Sequence, residues 1–192
     1  MNRTPFWMAF MTTLSMAACA KSFDMSGEQL TPLGPEWGVV IGSVLIKPVR
    51  TADDKKKAPD PAEMSYELEI VQSPPGDPDG ESPYAERYRL DAKAGEERMF
   101  ISRLRTGRYL FKNFGQDRVV GTGGDLDLVF ETMAGEVHYI GRLVLEVPQR
   151  ASRGKEYRFA VENSREATLA HITGRHPDLA QQAIDAPMRS RE

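Results

Sequence analysis

The stretch Ala134-Gly-Glu-Val-His-Tyr-Ile-Gly-Arg-Leu-Val-Leu-Glu-Val147 decides the fold class. Ala134-Gly135 has turn chemistry, and apolar side chains then recur at every second position: Val137, Tyr139, Leu143, Leu145 and Val147. A period of two puts those residues on one face of a strand and predicts that this face is buried. The intervening residues (Glu136, His138, Ile140, Arg142, Val144, Glu146) are polar at both ends and apolar in the middle, so the second face is mixed. Gly141 falls where the period lacks a side chain, which predicts close approach by another backbone or ring. This is the expected central strand of a mainly β domain.

Working outward, Trp37 to Ile46 reads as a first strand, apolar on both faces and stopped by Pro48. Met64 to Val71 alternates through Met64, Tyr66, Leu68 and Ile70, and Tyr84 to Leu90 is a further candidate. Between them Gln72 to Pro83 holds four prolines, which remove donors and fix φ, so it reads as a loop. Arg98 to Leu104 sets Met99 and Ile101 against Phe100 and Leu104. Thr106-Gly107 turns the chain, and Arg108 to Phe114 alternates through Tyr109, Phe111 and Asn113. Gly121 to Gly124 is a turn into Leu126, Leu128 and Phe130, and Lys155 to Glu162 turns Tyr157, Phe159 and Val161 inward. Short strands between Gly/Pro turns predict a single antiparallel β-sandwich of about seven or eight strands over residues 37–163. Its expected core is Tyr109, Phe111, Phe130, Tyr139, Leu143, Tyr157 and Phe159, facing each other across two sheets.

The period changes after Asn163. Asn163 and Glu166 suit a capping box, Leu169 and Ile172 give a short amphipathic helix, and Gly174 ends it. Pro177 suits the first turn of a second helix, with Leu179, Ala180, Ala183 and Ile184 on one face until Pro187. Residues 164–192 are thus expected as a short helical tail, too short to stand alone and docked on the sandwich.

The chain of 192 residues is long enough for one domain with a real core, and its 40% apolar and 28% charged content fits a globular protein. A net charge of −3 argues against a nucleic-acid partner, which usually needs a basic face. The single cysteine, Cys19, excludes an intrachain disulfide. It ends an apolar leader whose only charge is Arg3. The apolar run from Phe6 to Ala18 falls short of the ~20 residues that span a bilayer and has the form of a secretory h-region.

Met16-Ala17-Ala18-Cys19 resembles the lipobox of bacterial lipoproteins, in which the leader is cut before the cysteine and its thiol is lipidated. Met16 stands where that pattern prefers Leu, and Ala18-Cys19-Ala20 also fits plain A-x-A cleavage; an uncleaved anchor is the third alternative. A lone thiol exported to an oxidising compartment is a liability without a purpose, which favours lipidation. The resemblance implies a signal peptide over 1–18 and lipid on Cys19. With Ala20 and Lys21 following and no Asp, it implies an outer-membrane destination facing the periplasm; the alternative is a soluble periplasmic protein. Ala20 to Glu36, polar and without period, is expected as a tether completing a 19–36 segment, spanning roughly 20–25 Å as a flexible coil.

Leu104 to Phe111 (LRTGRYLF), followed by the central strand, resembles the prealbumin-like or carboxypeptidase-regulatory-like sandwiches of bacterial envelope lipoproteins. Gly107 and Tyr109 match their turn-and-strand element; Ala134, Gly135, Tyr139, Ile140 and Gly141 match the second. Thr106 replaces the usual proline and His138 an apolar residue. The match covers about a quarter of the chain, and the resemblance implies a fold and a compartment but transfers no active site.

Chemistry-bearing residues read blandly. His138, His171 and His176 lack ligand spacing such as HExxH, and no cysteine remains for zinc. Asp77 to Glu81 has the acidic start of a calcium loop, but Pro78 occupies a spacer and no distal glutamate follows in pattern. Gly121 to Asp125 lacks the lysine and helix of a phosphate loop. Glu96 and Glu97, adjacent on a strand, point to opposite faces. Asp53 to Lys57 is expected as a solvated loop rather than a contact for anionic headgroups, because its two acids cancel much of the attraction of its lysines. No catalytic, cofactor or metal residue is expected, and Cys19 is the one predicted site. The expected function is a lipid-anchored, non-catalytic binding or accessory module, held at the membrane through Cys19 and binding an envelope protein, peptide or glycan. An envelope hydrolase and a purely structural envelope subunit are the alternatives.

Overall fold

The structure, a computed structural model, describes residues 20–27, 30, 34–49, 64–116, 123–149 and 157–191. The expected central strand forms as β8 (Val137–Pro148). Its parallel neighbour is β2 (Trp37–Val49), which pairs on its other side, antiparallel, with β5 (Glu97–Arg105). The free side of β8 is shared: β9 (Arg158–Glu162) covers residues 142–146, and the two-residue β10 (Ile184–Asp185) covers His138 and Tyr139. These five strands make one sheet.

The facing sheet has six strands, in the order β1 (Lys21–Ser22), β4 (Arg87–Lys93), β3 (Ser65–Gln72), β6 (Gly107–Gln116), β7 (Gly123–Thr132), β11 (Arg189–Ser190). The molecule is therefore mainly β, with two sheets and two helices, in a sandwich-like arrangement. The expectation of seven or eight antiparallel strands needs correcting. Among the described residues there are eleven strands, and β1–β4, β2–β8 and β10–β8 run parallel, so both sheets are mixed. The added strands are short pieces near the chain ends, with no periodicity of their own to read.

Alternation along β8 breaks at Gly141. Ile41 pairs with Tyr139 and Ser43 with Arg142, so two steps on β2 oppose three on β8: a bulge. Gly141 takes a φ of +94°, which glycine adopts freely. A Cβ there would stand 2.8 Å from Val161 Cγ1 and 3.4 Å from the Glu162 carbonyl, so the nearest approach is by an aliphatic side chain rather than by the backbone or ring expected. The extra residue reverses the faces. Val137 and Tyr139 lie outward with Val39, Ile41 and Ile101, under the helices. Ile140, Leu143, Leu145 and Val147 turn inward onto the sandwich core with Phe100, Tyr109, Phe111 and Phe130. Tyr139, expected between the sheets, is instead buried beneath α1 (Arg165–Thr173), where its hydroxyl oxygen accepts the Ser164 N–H at 2.8 Å.

A second bulge corrects β6. Glu69 pairs with Asn113 but Ile70 with Phe111, leaving Lys112 as the extra residue. Phe114 therefore points inward, and Asn113 points out to donate to Glu69 at 2.7 Å. Tyr157 and Phe159 are only half-buried because β9 lies at the sheet margin, though both pack against the core. Pro48 does not stop β2. The Val49 carbonyl accepts from Gln149 N–H, so Pro48 turns its missing donor away from β8, beyond the last β5 pair at Leu45.

The largest departures lie near the chain ends. Residues 21–25, expected in the tether, are part of the fold. Lys21–Ser22 pair with Tyr88–Arg89, Phe23 is fully buried, and Met25 N–H bonds the Ile101 carbonyl of the other sheet. Phe23 sits among Tyr88, Phe100, Phe111 and Phe130, with centroid distances of 5.2–6.3 Å. Burying such a ring stabilises by about 2–3 kcal/mol and, with the β4 pairing and the Phe23 and Met25 N–H bonds, offsets the ordering of the segment. Residues 164–192 are likewise not simply a helical tail. Helix α1 forms, but Ser164 holds the N-cap position and Asn163 accepts the Arg165 N–H, so no capping box closes. Helix α2 (Pro177–Gln182) stops short of Ile184, because Ala183 is extended and the open side of β8 captures residues 184–185. Two pieces of this segment thus complete the two sheets.

Candidate functional site

A notch of about 410 Å³ opens where β7 ends, β8 begins and the chain passes from β10 to β11. Phe130, Met133, Pro187 and Met188 give it a largely apolar lining, with His138, Glu131 and Arg189 as its polar groups. The notch exists because the chain must step from one sheet to the other here. Ala186 N–H bonds the Tyr139 carbonyl and Met188 N–H the Ile140 carbonyl, both at 2.9 Å, before β11 joins β7.

His138 is the buried polar residue of this site. It pairs with Val40 before the bulge, and so faces the sandwich side. Its Nδ1 lies 3.0 Å from the Glu131 carbonyl oxygen and its Nε2 2.7 Å from a Glu136 carboxylate oxygen. The need for the first contact follows from register. Arg189 pairs with Val129, which places Pro187 against Glu131, and a proline has no N–H to offer. His138 supplies the donor that the ladder lacks. A carbonyl oxygen only accepts, so Nδ1 carries a proton toward Glu131, while Nε2 lies against the Glu136 carboxylate; both ring nitrogens have partners within the protein. At the mouth, Arg189 and Glu131 lie 3.7 Å apart, both well exposed.

The other sequence candidates do not converge here. His171 is exposed on α1, and His176 precedes α2 with Nε2 3.3 Å from the Ser26 carbonyl. Asp77 accepts the Glu81 and Ser82 N–H groups at 2.9 and 2.8 Å, spending its carboxylate on the turn. Gly123–Gly124 open β7 without a helix. Among the described residues no group of three metal-ligating side chains assembles. Cys19 and Asp53–Lys57 lie outside the described residues, as do Gly121 and Thr122.

Two polar groupings had no sequence signal, because their members are joined only by strand pairing. On the outer face of the five-stranded sheet, beyond the helices, Ser43 Oγ donates to Glu97 at 2.7 Å. Arg142 there bridges Glu162 at 2.6 Å and Glu97 at 3.6 Å. The Glu162 hydrogen bond, against some cost of burial, keeps the Arg142 guanidinium pKa above its ordinary value, with Glu97 adding to it. Beside β1, the Tyr88 hydroxyl donates to Glu86 at 2.5 Å, and Lys21 lies 3.4 Å from the same carboxylate. Burial alone would raise Glu86, but the Tyr88 and Lys21 contacts outweigh it and hold its pKa below the ordinary value. Tyr109 completes this corner: its hydroxyl donates to the Arg105 carbonyl four residues upstream at 2.9 Å, locking the turn at Gly107.

Compared with models of protein families, with characterised proteins and with solved structures, the chain matches none.

Proposed function

We propose that this is a lipid-anchored protein of the bacterial cell envelope, whose sandwich serves as a non-catalytic binding or accessory module of the prealbumin-like or carboxypeptidase-regulatory-like type. The observation that carries the reading is the position of the lipobox-like Met16-Ala17-Ala18-Cys19, one residue ahead of a strand built into the fold. The Tyr109 hydroxyl bond at the Gly107 turn gives the family-like Leu104–Phe111 element a physical role. The non-catalytic part is supported by His138, whose two ring nitrogens are both engaged within the protein. The apolar notch beside it is the place for an envelope peptide, protein or glycan to rest a side chain or ring.

Intact mass of the mature protein tests the anchor. The expected product starts at Cys19 and carries acyl mass, and Cys19→Ser loses that mass while the fold persists. A wild-type product beginning at Lys21 without acyl mass overturns the anchor in favour of plain export. For the non-catalytic part, a screen of esters, peptides, glycans and phosphoesters is expected to find no turnover. Activity abolished by His138→Gln in folded protein would establish the hydrolase reading instead.

A further inference from the structure

Three of the four large apolar side chains exposed among the described residues lie at one end of the sandwich. They are Tyr84 (92% exposed), Met133 (49%) and Ile184 (53%); the fourth, Val49 (42%), is at the far end. Strand directions define that end. Tyr84 precedes β4, Met133 lies in the turn from β7 to β8, and Ile184 pairs with His138 near the start of β8. Trp37, half-buried at the start of β2, belongs to the same end, with the Arg103 and Arg105 guanidinium carbons 4.9 and 5.6 Å from its ring centre.

The described chain also enters here. Lys21 pairs in parallel with Tyr88 near the start of β4, so Ala20 leads out past the β4 start toward Glu86 and the Tyr84 loop. Two cations at this end are matched by acids, Lys21 by Glu86 and Arg189 by Glu131. Exposed Glu36 and Arg105 and half-buried Arg103, Arg108 and Glu136 also lie at this end, so its exposed apolar side chains stand among charges of both signs.

We propose that this end of the sandwich rests in the headgroup region of a lipid bilayer, with Tyr84, Met133 and Ile184 making the contact. The proposal rests on the lipid-anchor reading of Cys19 and adds an orientation to it. The leash is short. A residue spans at most about 3.6 Å, so two steps from Cys19 to Lys21 hold the strand start within about 7 Å of an acylated residue. At that distance one end of the sandwich meets the lipid, and the end that does so exposes the side chains suited to it. Tyrosine has an apolar body and a polar tip, the combination favoured where hydrocarbon gives way to headgroups.

The test uses the mature acylated chain in phosphatidylethanolamine–phosphatidylglycerol vesicles whose acyl chains carry bromine, which quenches nearby tryptophan. Tyr84→Trp and Val49→Trp place a reporter at each end, both at exposed positions, with the wild-type Trp37 signal subtracted. The expected result is loss of the added emission for Tyr84→Trp and none for Val49→Trp. Equal quenching of the two, or none in either, while the acylated protein still floats with the vesicles, overturns the orientation and leaves the anchor standing. Protein without acyl mass that does not float overturns the anchor, and the orientation with it. As a second readout needing no added tryptophan, amide exchange at residues 82–86 and 133–135 should slow on vesicles relative to soluble Cys19→Ser protein. Unchanged exchange there counts against the proposal.

Discussion

Residues 21–25 cross from the six-stranded sheet to the five-stranded one, and residues 184–190 make the reverse crossing at the opposite edge. Each crossing drives one apolar side chain into the sandwich core, Phe23 in the first and Met188 in the second. They close their edges to different degrees. Phe23 meets four aromatic rings, and its carbonyl takes the Ser102 hydroxyl, so the first crossing is sealed. Beside Met188 the proline at 187 interrupts the ladder, His138 fills one bond, and a notch of about 410 Å³ stays open. A sealed crossing is structural; an incomplete one leaves room for a ligand.

The largest effect expected from this contrast is on Phe23→Ala, which should cost about 3–5 kcal/mol as a core aromatic truncation. Urea unfolding measures it, and a midpoint equal to wild type would mean that residues 21–25 are not part of the core. Met188→Ala should cost less, about 2–3 kcal/mol, because water already reaches the neighbouring notch and relaxes the new space. A loss exceeding that of Phe23→Ala would reverse the ranking of the two crossings. His138→Leu removes the donor to the Glu131 carbonyl and should cost about 1–2 kcal/mol, with His138→Gln recovering part of it. If leucine and glutamine were equally stable, the histidine would not be completing the ladder.

The contrast also has a pH dependence. Burial lifts the Tyr66 pKa to about 12 from the ordinary 10. Burial also raises Tyr88 and Tyr109, which stand next to one another near Phe23. The folded chain keeps protons that the unfolded chain loses, so their contribution is intact below pH 10 and declines as pH rises toward 12. Amide exchange over that range should expose residues 23–25 before 186–188. Simultaneous exposure would show that the tyrosines do not distinguish the two edges.

Much of the fold was legible wherever alternation ran unbroken, as in Tyr66-x-Leu68-x-Ile70 and Leu126-x-Leu128-x-Phe130. It failed where one residue shifted phase. Nothing in the pattern around Lys112 says that the strand bulges there, and the strand-interior Gly141 fits a close approach as well as a bulge, because a bulge is set by the register of a neighbour distant in sequence. Phe23 was hidden for another reason: a single aromatic between Ser22 and Asp24 has no period. Ile184 continued a helical face in sequence, yet an unfilled strand edge competed for it and won. At the candidate site, His138 was visible as an isolated imidazole on β8. Its role was not, since that role depends on Pro187 meeting Glu131 across a pairing between β7 and β11.

The pairing of β2 with β8 has a consequence in time. Val39 meets Val137 in parallel, roughly a hundred residues downstream, the kind of distant contact that makes folding slow. Until β8 emerges, the run Val39-Val40-Ile41, apolar on both faces, has nothing permanent on that side to cover it. Segments of that kind aggregate when left exposed in incomplete chains. Slow completion of that sheet is therefore a route to loss of folded protein that the stability of the finished sandwich does not report.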